Sequence, residues 1–458
     1  PKELFSKIDE LGLDAIVIPH GTAWGIHSPP NSKISSQLLN GNHDPTKQRL
    51  MEVYSGHGNS EIYKNFQHTE ELSPGEFKCP LPTDEFEPCC WRAGEIVNQQ
   101  CIEETGQACN DKADQIRQEF ANNASGILRF GIVENAAEED WKQCGQLKDA
   151  FLPAYTYRPS MSSQAALASQ VKDGDSLNSF KLGLIGSTDN HKARAGAGYK
   201  EFARKSMGDS WGAKDHLTWI LPPERGASFY STGGLVAVHS NKLDRDEIYN
   251  SLYEREVYAT SGERILLWFN LLEAGKEIPM GSELATSKVP NFEVRAVGAY
   301  KQLPGCPEYV NNAMSKKEIS RLCLNECYNP SNERHLIERI EVVKIQPSEN
   351  LNVLNQSIQD PWLTFECNDE GQGCEFSFQD KSFKEDEINS VYYVRAIQQK
   401  SDAVGGNPLR CEYNEQGECI KINPCYASGP DFEPSDDCLA PIGERAWSSP
   451  IFLNYLKL

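Results

Sequence analysis

Four short apolar runs along the chain each end at polar side chains that could carry chemistry. Continuous runs of β-branched and leucine side chains are typical of strands buried on both faces, as in a parallel sheet covered by helices. They therefore predict strands of an α/β fold. The runs are residues 14–20, which end in His20; 50–57, which carry Glu52 and His57; 182–191, which end in Asp189 and His191; and 234–239, which end in His239.

Helical patterns flank these runs. Residues 1–12 precede the first run, and residues 244–256 follow the last one with apolar side chains at helical spacing. An alternation of strand and helix indicates an α/β barrel or an open sheet, and both folds gather function at the carboxyl ends of their strands. We therefore expect the polar residues that end the runs to lie near one another.

Two further regions interrupt or follow this pattern. Residues of about 62–180 form a long insertion with polar, cysteine-bearing helical patterns at 95–123 and 134–151. After residue 285, apolar and polar residues alternate, which predicts an antiparallel, β-sandwich-like domain whose strands have one wet face. We therefore divide the chain into an α/β portion, 1–285, that contains the insertion, and a cysteine-rich β domain, 286–458.

Composition narrows the class of protein. The 458 residues carry a formal net charge of −21, which repels phosphate backbones and argues against a nucleic-acid partner. No apolar run approaches the roughly 20 residues of a membrane span. Fifteen cysteines at irregular spacing favour disulfides in an exported protein over zinc knuckles, and the odd count predicts at least one thiol that is free or pairs outside the chain.

The residues at the ends of the runs form a candidate metal-binding set. Imidazoles mixed with carboxylates, without cysteine, are the ligands of catalytic Zn, Mn or Fe sites. Gly186 and Ser187 allow the backbone to bend where the third run ends, so that two side chains of that run can turn into one cavity. The predicted ligands are His20, Glu52, His57, Asp189 and His191, whereas we interpret His27, His43, His68 and His216 as solvated loop residues.

Four motifs carry a resemblance to a known family. The sequence is similar to the bacterial DUF3604 family, which looks like a branch of the PHP (polymerase and histidinol phosphatase) metallohydrolases. The resemblance implies a distorted, partial (β/α)7 barrel with two or three divalent ions, commonly Mn, Zn or Fe. It implies His20, Asp189 and His191 as ligands, with Glu52 and then His57 next. The motifs are "IVIPHG", "EVYSGHGNSE", "GSTDNHKARAGAGYKE" and "REVYATSGERI".

The chain departs from the PHP pattern at its start. PHP domains begin with an HxH strand, and no such motif precedes His20. Three interpretations remain open. The chain is a fragment, or a separate N-terminal piece of the same precursor supplies the missing ligands, or the metal site has been lost.

Two functions follow from this set. The first is a periplasmic or secreted metal-dependent hydrolase, a phosphoesterase acting on a small anionic substrate through metal-activated hydroxide. Lys192 and Arg194 directly follow the third run and are the candidate catalytic residues that clamp substrate oxygens. The alternative is a non-catalytic binding or assembly protein that retains the fold.

Overall fold

The largest sheet lies between two other sheets. A computed structural model describes residues 1–25, 27–101, 106–123, 129–154, 156–190, 196, 233–368, 370–404, 406, 407, 409–423 and 439–457. The architecture is mixed α/β. Side chains alternate across a strand, and along the strand Ser390–Gln398 the alternate residues Val391 and Tyr393 enter one core, whereas Tyr392 and Val394 enter another. The sheet therefore forms a middle layer with a hydrophobic core on each face.

This middle sheet has eight strands and is mainly antiparallel. Six of its strands lie side by side in one hydrogen-bonded row. The strand Ile337–Ile345 branches from this row by pairing with Ser390–Gln398, and its other edge pairs with Ile358–Glu366. Strands from both sides of residue 285 thus share one sheet. The strands of the row are, in spatial order, Glu283–Thr286, Ile451–Tyr455, Ser390–Gln398, Arg445–Ser448, Val257–Thr260 and Leu235–Val238.

An antiparallel sheet of four strands covers one face of the middle sheet. Phe269 and Phe292 stack across this sheet, and Phe292 also lies 4.8 Å from Tyr392 of the middle sheet, measured between ring centroids. The two sheets thus share a core, as expected for sandwich-like packing. The strands are, in order, Lys276–Pro279, Leu266–Glu273, Asn291–Val297 and Cys374–Gln379.

A smaller sheet of three strands covers the other face. The strand Leu50–Ser55, buried at all six positions, pairs in parallel with Gly183–Gly186 and antiparallel with Gly58–Asn59. Tyr54 stacks on Trp447 of the middle sheet at a centroid distance of 5.7 Å. Because this layer is buried by the middle sheet, the carboxyl end of Leu50–Ser55 is held in a fixed position.

The remaining elements are short. None of the described helices has the length and apolar character that crossing a bilayer requires. Two-stranded pairings add Glu70–Ser73 with Glu76–Lys78, Gln170–Asp173 with Ser176–Ser179, Tyr300–Gln302 with Pro330–Arg334, Ser401–Val404 with Leu439–Ile442, and Glu412–Tyr413 with Cys419–Lys421. The α-helices are Lys2–Glu10, Cys89–Gln100, Gly106–Asn122, Ser163–Ala168, Arg245–Tyr253, Glu308–Ala313, Lys316–Cys323, Leu354–Ser357 and Ser382–Asp386.

The prediction that the cysteines form disulfides is confirmed among the described residues. The helices Cys89–Gln100 and Gly106–Asn122 surround a core of their own, which the disulfides of the insertion hold together. Among the described residues Cys323 is free, while Cys425 and Cys438 lie outside them. The disulfides are Cys79–Cys90, Cys89–Cys144, Cys101–Cys109, Cys306–Cys327, Cys367–Cys374 and Cys411–Cys419.

Several predicted elements are wrong. Residues 14–20 are irregular rather than a buried strand, and the strand Leu235–Val238 pairs antiparallel with Val257–Thr260. Residues 134–151 contain only the short 3-10 helix Glu138–Trp141. The strand Ser390–Gln398 has no wet face, because the N-terminal layer covers it. Within the described residues the strands form open sheets and pairs, without a closed barrel.

Candidate functional site

The parallel strand pair brings residues 56, 57 and 189 together. In its register Glu52 pairs with Ile185 and Tyr54 with Gly186. The Ser187 backbone N–H then donates to the Tyr54 carbonyl at 2.9 Å, which continues the pairing beyond the strand. The two chains leave the sheet side by side, and a Cβ atom on Gly56 would lie only 3.0 Å from the Asp189 carboxylate. Glycine at position 56 therefore leaves room for that carboxylate.

Glu52 anchors a second segment to this strand end. One carboxylate oxygen of Glu52 lies 3.0 Å from His20 Nδ1 and accepts from the Ser187 hydroxyl at 2.7 Å. The other accepts from the Gly21 backbone N–H at 3.3 Å. Glu52 is 7% exposed, so these are contacts of a buried carboxylate. They fix the imidazole of His20 with Nδ1 toward Glu52 and leave Nε2 facing away.

His20, His57 and Asp189 converge on one point. His20 Nε2 lies 3.1 Å from His57 Nε2. The Asp189 carboxylate places one oxygen 2.8 Å from His57 Nε2 and the other 3.7 Å from His20 Nε2. The His20 side chain is 47% exposed, whereas those of His57 and Asp189 are 7% and 10% exposed. The cluster is therefore buried on the sheet side and open to solvent on the side of His20.

A third histidine and a tryptophan complete the surroundings. One nitrogen each of His20, His27 and His57 lies within 4.8 Å of the other two. Trp24 stacks on the His57 ring at a centroid distance of 4.2 Å and meets the His27 ring edge-on at 4.8 Å. Packing against Trp24 holds both rings in place.

The histidines differ in their affinity for protons. The hydrogen bond with Glu52 raises the pKa of His20 above its ordinary value, against the opposing effect of burial. Burial lowers the pKa of His27, and the neighbouring His57 and His20 lower it further. His27 is consequently neutral near pH 7, which is the form of imidazole that binds a metal.

The donor set fits a divalent transition metal. Two imidazole nitrogens on one tetrahedral Zn²⁺, at about 2.0–2.1 Å from the ion, lie roughly 3.4 Å apart, close to the 3.1 Å between the Nε2 atoms of His20 and His57. The carboxylate of Asp189 faces both nitrogens and supplies negative charge. A carboxylate that holds the far nitrogen of a ligating histidine, as Glu52 does for His20, is the usual outer support of such sites.

The structure brings four of the predicted site residues together, namely His20, Glu52, His57 and Asp189. The predicted ligand His191 and the predicted clamps Lys192 and Arg194 lie outside the described residues. His239, which ends the fourth apolar run, lies elsewhere, and its Nε2 is 2.9 Å from the Leu267 carbonyl.

His27 is the site residue that the sequence interpretation missed. Its position in a loop of the sequence predicts a solvated side chain. It is exposed, yet it contributes to the histidine cluster. The short spacing of His20, Trp24 and His27, which fall within eight residues, is the sequence feature that could have predicted the contribution of His27. His43 and His68, which we expect to be solvated, are half-buried, and each lies close to an acceptor of the fold. His216 lies outside the described residues.

Comparisons with known proteins find relatives that are similar to a short part of the chain. The chain is 43% identical over 68 residues to an uncharacterized protein of Chlamydia muridarum, and equally so to one of Chlamydia trachomatis. In each case the match covers 15% of this chain and 10% of the relative, so the chain spans about a tenth of the length of these curated relatives. No solved structure matches.

The family match covers part of the chain and includes Asp189. Residues 164–302 match the family described as "Protein of unknown function (DUF3604)". These residues include the strand Gly183–Gly186, which sets the position of Asp189 beside His57. The match confirms the similarity to DUF3604 for residues 164–302, which contain the motifs that begin at Gly186 and Arg255. The motifs that contain His20 and Glu52 lie outside the match.

Proposed function

We propose that this chain is an exported metal-dependent hydrolase, a phosphoesterase that acts on a small anionic substrate. The observation that carries the proposal is the convergence of His20 Nε2, His57 Nε2 and the Asp189 carboxylate within 3.7 Å of one another. A group of imidazoles and carboxylate that opens to solvent on one side leaves a coordination position for water or substrate, as catalytic sites do.

His20, His57 and Asp189 would hold the first divalent ion, which we propose to be Mn, Zn or Fe. His27 lies close enough to extend the set toward a second ion. The PHP resemblance adds His191 to this set and implies two or three ions in a barrel-like fold. The parallel pairing of Leu50–Ser55 with Gly183–Gly186 is consistent with neighbouring strands of such a barrel.

When bound, divalent ions supply an activated water and neutralise charge that develops on the substrate. Glu52 keeps the Nδ1 proton of His20 and so presents the Nε2 lone pair toward the cluster. Ser187 and the Gly21 N–H hold Glu52 in that orientation. Trp24 covers the His57 ring and shields it from water. In this proposal Lys192 and Arg194 bind substrate oxygens.

The disulfides bear on where the protein acts. Disulfides persist in oxidising compartments and are rare in a reducing cytosol. Six are present among the described residues, so we propose a periplasmic or secreted location. The negative net charge favours a small substrate over nucleic acid.

Hydrolysis of p-nitrophenyl phosphate with Mn²⁺, Zn²⁺ or Fe²⁺ tests the proposal. The variant His57→Ala removes one converging nitrogen, and we expect kcat/KM to fall by about a hundredfold or more. His43→Ala is the matched control, because it removes a half-buried histidine that contacts Gln48 instead of the cluster. Activity that is equal in His57→Ala and the native chain would contradict the proposal, as would phosphatase activity that survives removal of all metal.

A further inference from the structure

A cavity that does not involve the histidine cluster lies between the middle sheet and the insertion. Its volume is about 590 Å³, within the range of small-molecule sites. Residues 62–65 and 148–151 line one side. The opposite side carries Arg339 and Arg395, together with Arg445, from three strands of the middle sheet.

The charge of this lining is unlike that of the whole chain. The chain has 21 more acidic than basic residues. The side chains that line the cavity include four acidic ones and five basic ones, which are Lys64, Lys148, Arg339, Arg395 and Arg445. A basic excess within an acidic protein indicates a place where an anion is favoured.

Protein carboxylates already pair with three of these cations. Lys64 lies 2.6 Å from Glu85. Arg339 lies 2.8 Å from Glu341. Arg395 is in contact with three carboxylates. Those of Glu61 and Glu341 are buried, and that of Asp360 is 14% exposed. These pairs leave little charge on the three cations for a ligand.

Arg445 is different. Within the described part of the chain its guanidinium has no ion-pair partner, and its Nε atom is buried without a hydrogen-bond acceptor. The guanidinium lies over the Phe151 ring, 4.0 Å from the centroid, which fixes its plane. Burial, together with the nearby Arg395, lowers the pKa of Arg445 to about 10.

A partly buried guanidinium that makes no direct ion pair carries a cost of burial, and a bound oxyanion in contact with it offsets that cost. The planar fork of arginine matches the two oxygens of a carboxylate or phosphate. Apolar surface beside it, from Phe151, Ile358 and Pro361, suits an organic body rather than a bare ion.

We propose that this cavity is a binding site for a small organic anion, whose carboxylate or phosphate pairs with Arg445 while its apolar part lies against Phe151 and Ile358. The site is independent of the proposed hydrolase function, because none of its lining residues belongs to the histidine cluster. Among the described residues Glu61 and Glu341 act on Arg445 through their charge but make no direct ion pair with it, and the ligand supplies that contact.

Calorimetric titration of the whole chain in EDTA tests the proposal, with benzoate, phenyl phosphate and inorganic phosphate as probes at constant ionic strength. EDTA keeps metal-bound anions out of the measurement. We expect benzoate or phenyl phosphate to bind one site per chain and more tightly than inorganic phosphate. The preferred head group then distinguishes a carboxylate from a phosphate ligand. No binding of any probe at millimolar concentration would overturn the proposal.

The variant Arg445→Met keeps the side-chain length but removes the charge, and we expect a loss of affinity of at least about tenfold. Arg321→Met, in the helix Lys316–Cys323, is the control and is expected to bind like the native chain. Undiminished affinity in Arg445→Met would overturn the assignment of this residue.

A second measurement uses the native chain and so does not depend on whether the variant folds. Phenylglyoxal modifies arginine side chains, and peptide mass spectrometry reports the extent at each position. We expect the tighter-binding probe to slow modification of Arg445 severalfold and to leave Arg321 unchanged. Equal modification of Arg445 with and without the probe would overturn the proposal.

Discussion

His20 Nε2 and His57 Nε2 lie 3.1 Å apart, although 37 residues separate them in sequence. Contacts on each ring hold the two nitrogens in this position. Glu52 holds the far side of the His20 ring, and Trp24 stacks on the His57 ring. These contacts bring the Nε2 atoms of two imidazoles together with the rings edge to face. Such an arrangement is unfavourable if both imidazoles are protonated and favourable if they share a cation.

Asp189→Asn tests the carboxylate of the cluster. Asp189 has a left-handed backbone with φ of 54°, which asparagine tolerates better than alanine does. We therefore expect Asp189→Asn to fold normally but to bind Zn²⁺ at least about tenfold more weakly in calorimetric titration, because the charge that faces both nitrogens is lost. Asp175→Asn, in an exposed turn, is the control. Native affinity in Asp189→Asn would remove this residue from the site.

Glu52→Gln distinguishes a supporting carboxylate from a ligand. If Glu52 orients His20, we expect metal affinity to fall by about 10- to 100-fold without a change in the number of ions bound. The pKa of His20 should also fall, since the hydrogen bond with Glu52 is the largest cause of its rise.

Metal titration and NMR titration of the His20 ring together measure both effects of Glu52→Gln. Glu71→Gln, in an exposed strand, is the matched control. If Glu52→Gln loses one ion per chain outright, Glu52 is a direct ligand. If both the affinity and the His20 pKa are unchanged, Glu52 has neither role.

The raised pKa of His20 predicts opposite pH trends for the metal-free and metal-bound protein. Its pKa in the folded protein exceeds the ordinary value of 6.5, so its contribution to metal-free stability is complete below that pH and is lost as the pH rises through the folded pKa. That contribution is small, because His20 is half exposed. Metal binding requires neutral imidazole and is therefore favoured by higher pH.

Thermal unfolding measures this pH dependence. We expect the increase in Tm produced by saturating Zn²⁺ to be larger at about pH 8 than at about pH 6. His43→Ala should show the same trend as the native chain. A Zn²⁺-induced increase in Tm that does not depend on pH across this interval would exclude histidine ligands.

The disulfide Cys89–Cys144 should stabilise the insertion more than a short-range disulfide does. It closes a separation of 55 residues, against 7 for Cys367–Cys374. By loop-closure entropy these cross-links are worth about 4 and about 2.5 kcal/mol respectively. We expect the double variant C89S/C144S to lose more free energy of unfolding in urea than C367S/C374S. The reverse order would indicate that the insertion folds without help from its cross-link.

Part of the cluster could be predicted from the sequence, because a continuous apolar run is typical of a buried strand. Glu52 and His57 follow a continuous apolar run, and such a run does form a buried strand whose partner ends near Asp189. The same rule also selected His20, which the structure places in the cluster but not at the end of a strand. Residues 14–20 are irregular, and His20 is positioned by contacts with Glu52 and through Gly21 rather than by a strand.

The other errors arose from contacts distant in sequence. The alternating pattern of Ser390–Gln398 predicted one solvent face, but the N-terminal layer buries that face through residues such as Met51 and Val53. No apolar run precedes His27 in the sequence. Its position in the cluster depends on the folded turn around Trp24. The local pattern of apolar and polar residues specifies helices and strands. Which faces of these elements pack together depends on contacts between residues that are distant in sequence.

Elemental analysis of the native chain, purified without chelators, tests most directly whether the converging side chains bind a metal. We expect at least one equivalent of Mn, Zn or Fe per chain, and a loss of most of it in the double variant His20→Ala/His57→Ala. A native chain that contains no such metal, and that takes up none from added Mn²⁺, Zn²⁺ or Fe²⁺, would contradict this prediction.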